Sequence, residues 1–167
     1  MPDIEIRPAG LGDEVSLQAN CKAAVSVDQV RRQLEWTTRE RGPHTLEHFV
    51  AVDGIEVVGT VMLWPRGGHA VERPDGSYTL CRGRNGAVLD IARLDDWSVT
   101  STYAGQGLGS RLAAAVMDKA RSWGVGRLES SSANPAAVRS LERLGFRPWG
   151  RFPLGDEAYE VFLVVEL

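Results

Sequence analysis

Three glycines alternate in a turn that joins an extended segment to a helix, and this feature constrains the fold most. Gly105, Gly107 and Gly109 follow a strand-like run that ends at Val99, and a helical pattern begins directly after them. Glycine lets a ligand approach the backbone without a Cβ in the way. A helix N-terminus also carries unpaired N–H groups and a partial positive charge, so the turn is suited to bind a phosphate or pyrophosphate group.

Length and composition favour one globular domain over residues 1–167. The chain is 43% hydrophobic and 25% charged, its net charge is −3, and 167 residues can bury a sizeable core. A mildly acidic chain is unlike most nucleic-acid-binding domains, so we expect no nucleic-acid partner. Cys21 and Cys81 have neither disulfide-type nor metal-type spacing, the first residues lack the pattern of a signal peptide, and no apolar run approaches the length of a membrane helix. We therefore expect a cytoplasmic protein with no metal site and no membrane segment.

Apolar periodicity and turn signals predict the element order β-α-α-β-β-β-α-β-α-β-β. The predicted helices cover residues 13–24, 26–41, 107–123 and 135–144. The predicted strands cover residues 4–7, 49–52, 55–63, 87–99, 126–130, 146–152 and 159–165. A Gly-, Pro- and Arg-rich insertion at 65–86 contains turn signals for a small hairpin between 70 and 80. Early strands joined by hairpins and later ones by helices indicate an α/β fold with a mixed sheet and helices on its faces.

Three interpretations of the glycine turn compete. A dinucleotide-binding fold would use Glu129 as its ribose-binding acid, but the strands before the turn form hairpins and too little chain follows it. A turn without a ligand needs one or two glycines rather than three in alternation. The third interpretation is coenzyme A binding, and a second motif further along the chain favours it.

The two motifs together resemble the GNAT N-acetyltransferase superfamily. Its first hallmark, Arg/Gln-x-x-Gly-x-Gly/Ala, corresponds to Ala-Gly-Gln-Gly-Leu-Gly at residues 104–109. Its second corresponds to residues 134–146, which begin with Asn-Pro and end with Leu-Gly-Phe. The resemblance is strongest over residues 88–149, the implied cofactor-binding core. It implies a GNAT-like fold of six to seven mostly antiparallel strands with a splayed central pair and about four helices.

The resemblance also implies acetyl-CoA as the cosubstrate and assigns residues to its binding. Backbone N–H groups of the turn would hold the pyrophosphate, Val99 would bind the pantetheine arm, and Asn134 would contact the thiol side of that arm. The implied cofactor-binding residues are Val99, Ala104, Gly105, Gln106, Gly107, Leu108, Gly109, Ser110 and Asn134. The implied activity is direct transfer of an acetyl group to a primary amine of a small molecule or peptide, by a monomer or homodimer. The insertion at 65–86 would shape the choice of acceptor.

Two positions depart from the family's pattern. Ala104 stands where the family has arginine or glutamine, so Arg111, Gln106 or a basic residue of the insertion would have to replace that contact. The basic residues of the insertion are Arg66, Arg73, Arg82 and Arg84. Leu141 stands where the family often has a tyrosine assigned as general acid. The departures leave open a second function, a non-catalytic acyl-CoA-binding or regulatory module with the same fold.

Charged residues lie in the central strand that leads to the turn. An alkylammonium has a pKa of about 10, so acetyl transfer needs a group that accepts its proton. We expect Asp95 or Asp96 to be that base or to bind the amine, re-aimed by a β-bulge near residues 94–96. The alternative is an ion pair of Arg93 with one of them, and Glu129 is a third carboxylate. The histidines, His48 among them, are expected in surface loops.

Overall fold

A mixed β-sheet with helices on both faces makes up the protein. The structure, a computed structural model, describes residues 3–20, 26–39, 46–66, 70–72, 78–80, 91–154 and 158–167. The strands are β1 (Glu5–Pro8), β2 (Glu47–Asp53), β3 (Glu56–Arg66), β4 (Ala70–Glu72), β5 (Tyr78–Leu80), β6 (Ile91–Val99), β7 (Arg127–Ser132), β8 (Arg147–Pro153) and β9 (Tyr159–Glu166). The helices are α1 (Glu14–Asn20), α2 (Val27–Arg39), α3 (Leu108–Ser122) and α4 (Pro135–Arg143), and a 3₁₀ turn at Ser101–Tyr103 precedes α3.

Seven strands form one sheet in the order β1-β2-β3-β6-β7-β9-β8, and β4 and β5 form a separate pair. Within the seven-stranded sheet, β6 and β7 are parallel, and the other neighbouring strands are antiparallel. The structure therefore confirms the predicted mixed sheet, and the described residues also include the four expected helices, α1 to α4. The small hairpin expected within the insertion is also confirmed, because β4 pairs with β5.

The two central strands separate part-way along their length. Among the described residues, pairing between β6 and β7 runs from Ile91 opposite Arg127 to Arg93 opposite Glu129. Beyond that point β6 continues to Val99 alongside β3, whereas β7 continues alongside β9. The predicted splay of the central pair is thus confirmed, and it opens toward the end of β6 from which the glycine turn follows.

The core lies mainly between the sheet and α3, whose apolar stripe is buried. Leu112, Ala113 and Val116 have no exposed surface, and they pack in one cluster with apolar residues of β2, β3 and β6. A smaller cluster on the opposite face joins α1 and α2 to β2 around Leu17 and Leu34. Amphipathic spacing in the sequence is what allows each helix to cover one face of the sheet.

The first predicted helix, over residues 13–24, is observed as α1 over the part that the structure describes, Glu14–Asn20. Within α1, Leu17 is buried, whereas Val15 is 66% exposed. The second predicted helix is observed as α2 with nearly the expected bounds. Several predictions lie outside the described residues, namely the continuation of α1 to 24, the start of the long strand at 87–90, and both cysteines.

Asp13 is a buried carboxylate that ties β1 to the start of α1. Arg7 donates to both of its oxygens, at 2.8 and 3.0 Å, and the backbone N–H of Gly10 donates to it at 2.8 Å. Burial alone would raise the pKa of Asp13, but the hydrogen bonds from Arg7 and Gly10 outweigh burial and lower the pKa below its usual value. The ionised carboxylate is therefore part of the folded structure.

Replacing Asp13 should lower the free energy of unfolding in a pH-dependent way. We expect Asp13→Asn to cost about 1–3 kcal/mol at pH 7, because hydrogen bonds to a charged group are lost. A lowered pKa in the folded state gives stability above the unfolded pKa of about 4, and this stability disappears as the pH falls through the folded pKa. Chemical denaturation between pH 7 and 2 should show the two proteins converging at acid pH, with exposed Asp3→Asn as control. A constant difference down to pH 2 would contradict this role.

Candidate active site

The glycine turn has the backbone shape that its sequence requires. Gly105 and Gly107 have φ values of +77° and +80°, a left-handed conformation that strains other residues. Gly107 is the N-cap of α3, and the first intrahelical hydrogen bond runs from Arg111 N to Gly107 O at 3.1 Å. The N–H groups of residues 108–110 precede that bond, so they have no acceptor within the helix. The turn therefore presents donors at the positive end of a helix dipole.

Gly109 is required for a different reason, the close packing of Trp97. A Cβ at Gly109 would lie 3.0 Å from the Trp97 ring, which is tighter than ordinary contacts. The indole Nε1 of Trp97 also donates to Gly109 O at 3.0 Å. The third glycine of the motif thus allows the end of β6 to pack against the start of α3.

Hydrogen bonds from the turn to β2 and β3 fix its position. The backbone N–H of Thr100 donates to Val58 O at 2.9 Å, and the Tyr103 hydroxyl donates to the carboxylate of Asp53 at the end of β2. The hydrogen bond to Asp53 raises the pKa of Tyr103, because the protonated hydroxyl is the donor. Tyr103 was not predicted from the sequence, since no local pattern links it to a carboxylate 50 positions earlier.

A cleft of about 610 Å³ opens between the glycine turn and α4. Its lining residues are Trp97, Ser98, Val99, Tyr103, Ala104, Gly105, Gly107, Leu108, Gly109, Ser110, Asn134, Ala136, Ala137, Ser140 and Arg143. The cleft thus brings together all the predicted cofactor-binding residues except Gln106. The Gln106 side chain donates instead to Thr102 O at 3.0 Å.

Helix α4 forms the other wall of the cleft. Asn134 is its N-cap and accepts a hydrogen bond from Ala136 N at 2.9 Å, as the Asn-Pro start predicts. Leu141 is fully buried in the main core. The position at which the family often has a tyrosine is therefore occupied by a packing residue. Ser140, one of the polar side chains of this helix, lines the cleft.

A β-bulge displaces the two candidate carboxylates on β6. The register with β3 shifts between Thr60 and Met62, and Asp96 has a φ of +43°, which is left-handed. The predicted bulge is therefore confirmed. Neither Asp95 nor Asp96 is among the residues that line the cleft, although the neighbouring Trp97 is.

Asp95 takes part in the ion pair that was the alternative interpretation. Arg93 Nε donates to Asp95 Oδ2 at 3.1 Å, and the backbone N–H of Asp96 donates to the other carboxylate oxygen at 3.0 Å. Arg93 also donates to Ser131 Oγ at 2.6 Å, and Ser131 donates to Glu160 at 2.7 Å. A continuous polar network thus joins β6, β7 and β9 at the point where the central strands separate.

The prediction that His48 lies in a surface loop is wrong, because His48 is buried in β2. The residue is 8% exposed, and its Nε2 lies 3.5 Å from Gln33 Oε1 of α2. Burial lowers the pKa of His48 to about 4, although the negative charge of Asp96 opposes the shift. His48 is therefore neutral at physiological pH. His44 and His69 lie outside the described residues.

The described residues contain neither a metal-binding cluster nor a membrane-spanning helix. No three His, Cys, Asp or Glu side chains there come together as a metal site. No helix in the described ranges has both the length and the apolar character needed to cross a bilayer.

Comparison with known sequences identifies the family. The profile of the acetyltransferase (GNAT) family matches residues 16–146, which is more than half of the chain. This chain belongs to the GNAT family. A search of curated protein sequences finds no match. In this GNAT protein the matched region ends at Phe146, so it includes the glycine turn, the splayed strands and α4.

Three solved structures show the same fold. A ribosomal-protein-alanine N-acetyltransferase from Brucella melitensis is 21% identical, with a TM-score of 0.72 over 98% of this chain and 99% of that chain. An N-acetyltransferase from Staphylococcus aureus Mu50 is 15% identical, with a TM-score of 0.71 over 98% of each chain. A GNAT family acetyltransferase from Elizabethkingia anophelis, solved with acetyl-CoA bound, is 16% identical, with a TM-score of 0.64 over 100% of each chain.

The burial of His48 predicts how stability changes with pH. The unfolded chain takes up a proton near pH 6.5, whereas the folded protein resists it down to about pH 4. Stability should therefore fall as the pH drops from 6.5 to 4, by up to about 3 kcal/mol from this residue. We expect His48→Gln to flatten the dependence of the unfolding free energy on pH over that range. An unchanged slope in the variant, measured by urea denaturation, would contradict the assignment.

Proposed function

We propose that this GNAT protein is an acetyl-CoA-dependent N-acetyltransferase that acetylates a primary amine by direct attack in a ternary complex. The observation that carries the proposal is that one cleft gathers eight of the nine predicted cofactor-binding residues. Family membership and the shared fold with an acetyltransferase that holds acetyl-CoA support it. The acceptor is a small molecule or a peptide, and we place the protein in the cytoplasm as a monomer or homodimer.

The glycine turn supplies the phosphate end of the cofactor site. The N–H groups of residues 108–110 lie at the positive end of α3, where an anion is stabilised by the helix dipole. Left-handed Gly105 and Gly107 shape the turn so that these donors line the cleft. The diphosphate of coenzyme A is the group with the charge and the acceptor oxygens for such a site.

The free edge of β6 supplies the site for the pantetheine arm. Backbone pairing with β7 stops at Arg93, yet β6 continues for six more residues to Val99. Backbone groups along that edge need hydrogen-bond partners, and an extended amide-bearing ligand can add to the sheet as a further strand. The pantetheine arm carries two amides that can pair with this edge.

The reaction removes two protons from an ammonium nitrogen and exchanges one bond at the carbonyl carbon. The ammonium group first loses a proton to a base, and the neutral amine forms a bond to the thioester carbonyl carbon. The carbon–sulfur bond then breaks, and the thiolate of coenzyme A takes up the second proton that the nitrogen loses. A backbone N–H near Val99 would donate to the carbonyl oxygen as negative charge develops there.

We assign Asp96 as the carboxylate that binds the amine and accepts its proton. Arg93 and the Asp96 amide already occupy both oxygens of Asp95, which makes Asp95 a positioning residue for the bulge. Asp96 has a left-handed backbone at the bulge, and its negative charge acts on His48 of β2. A carboxylate there can bind an ammonium group and accept its proton directly or through water.

The second candidate function is an acyl-CoA-binding module without catalysis. The observation that favours it is the burial of Leu141, because no acid reaches the thiol from that position. Turnover with an amine separates the two candidates, whereas binding of acetyl-CoA is common to both.

Coenzyme binding should depend on the conformation of Gly107. We expect the protein to bind acetyl-CoA at micromolar concentration in calorimetric titration, and Gly107→Ala to weaken binding at least tenfold. The matched control is Gly124→Ala, because Gly124 has a similar φ of +73° but lies at the far end of α3. Both variants carry similar backbone strain of about 1–3 kcal/mol, so only the effect on the cleft differs. Wild-type protein that binds no acyl-CoA would exclude the proposed function.

Turnover should depend on Asp96 more than on Asp95. Release of free thiol from acetyl-CoA, measured over a panel of amines, should identify acceptors, and Asp96→Asn should lower kcat/KM about 100-fold or more. Asp95→Asn is the comparison, because it removes an equal charge from the adjacent position. If Asp96 is the base, the Asp96→Asn variant should lose the acidic limb of the pH profile. If Asp96 only binds the amine, the variant should instead have a raised KM. Acetyl-CoA binding without turnover of any amine would favour the non-catalytic module.

A further inference from the structure

The phosphate end of the cleft lacks a positive side chain within the glycine turn. Ala104 lines the cleft and is exposed, and its methyl group can neither donate a hydrogen bond nor carry charge. A diphosphate carries two negative charges, and backbone N–H groups alone supply only partial positive charge. A full cation elsewhere in the cleft would strengthen binding of the diphosphate.

The replacements expected from sequence near the turn are engaged elsewhere. The Arg111 guanidinium donates to Ile4 O at 2.9 Å, which ties α3 to the segment before β1. The Gln106 amide donates to Thr102 O. Neither residue lines the cleft. Arg73, Arg82 and Arg84 of the insertion lie outside the described residues.

Arg143, in the last turn of α4, is the one basic residue among the described residues that line the cleft. Its Nη2 donates to Ser140 Oγ at 3.1 Å, and Ser140 in turn donates to Ala136 O at 2.9 Å. This hydrogen bond orients the guanidinium and uses one of its five N–H donors. Arginine presents those donors in a planar fork that matches phosphate oxygens.

We propose that Arg143 binds the diphosphate of coenzyme A and supplies from α4 the positive side chain that position 104 lacks. The inference rests on the proposed function, because it assumes that coenzyme A occupies this cleft. The diphosphate would then lie between the N–H groups at the start of α3 and the guanidinium at the end of α4.

The length of α4 agrees with this assignment. Asn134, at the start of the helix, is the residue assigned to the thiol side of the cofactor, and Arg143 lies nine residues further on. At a rise of 1.5 Å per residue, the two are about 13 Å apart along the helix. An extended pantetheine arm spans a distance of that order, so a ligand with its thiol near Asn134 carries its phosphates toward Arg143.

The test compares the affinities of two ligands for two charge-matched variants. We expect Arg143→Gln to weaken binding of acetyl-CoA roughly three- to tenfold in calorimetric titration at fixed ionic strength. Acetyl-dephospho-CoA, which keeps the diphosphate but lacks the 3′-phosphate, should lose the same factor. Arg139→Gln is the matched control, because Arg139 is an exposed residue of the same helix that does not line the cleft.

A rescue variant makes the test independent of general effects on α4. Ala104→Arg, introduced into Arg143→Gln, should restore most of the lost affinity, because the backbone at 104 is extended and accepts any side chain. Equal affinities of Arg143→Gln and Arg139→Gln would overturn the inference while leaving the proposed function intact. If Arg143→Gln weakens binding of acetyl-CoA but not of acetyl-dephospho-CoA, Arg143 binds the 3′-phosphate, and the assignment to the diphosphate is overturned. Wild-type protein that binds neither ligand would overturn the proposed function itself.

Discussion

The early end of pairing between the two central strands is the constraint on which the site depends. Because β6 and β7 separate after Arg93 and Glu129, the following segments, which lead to α3 and α4, start from strand ends that are spread apart. The cleft lies between those two helices. Had the parallel pairing continued to Val99, the backbone groups that we assign to the cofactor would be used within the sheet. Regular pairing is therefore absent at the centre of the sheet, which leaves the edge of β6 available to a ligand.

Separated strands in a sheet interior need polar groups that replace the missing pairing. Arg93, Ser131 and Glu160 form a chain of side-chain hydrogen bonds from β6 across β7 to β9, and Asp95 continues it on the β6 side. Such a network is stabilising when its donors and acceptors are satisfied together, and costly when one member is missing. We regard it as the structural support of the opening, which explains why charge occurs in a central strand.

Much of this architecture follows from local sequence signals. Glycines at 105 and 107 require a left-handed backbone, and Asn134 followed by proline marks the start of α4. The strands and their order along the chain also follow from local signals, since alternation and turn residues identify hairpins. The adjacent charges at Asp95 and Asp96 correctly indicated a bulge, because an unbroken central strand could not accommodate them.

The features missed from sequence arise from contacts between distant segments. The burial of His48 depends on α2 packing over β2, and the role of Gly109 depends on where Trp97 lies. Neither the register of a strand nor the packing of a helix over it is determined by the residues on either side of one position. The same holds for Arg143, whose relevance appears only when α4 and the glycine turn are seen to share one cleft.

The hydrogen bond between Tyr103 and Asp53 links the glycine turn to a hairpin that does not line the cleft. A ligand that binds only the formed turn stabilises every segment whose folding the turn requires. Because coupling of this kind is reciprocal, an intact hairpin also favours an ordered turn. The amide hydrogens of β2 and β3 should therefore exchange more slowly with solvent when the cleft is occupied, which makes the hairpin a remote reporter of occupancy.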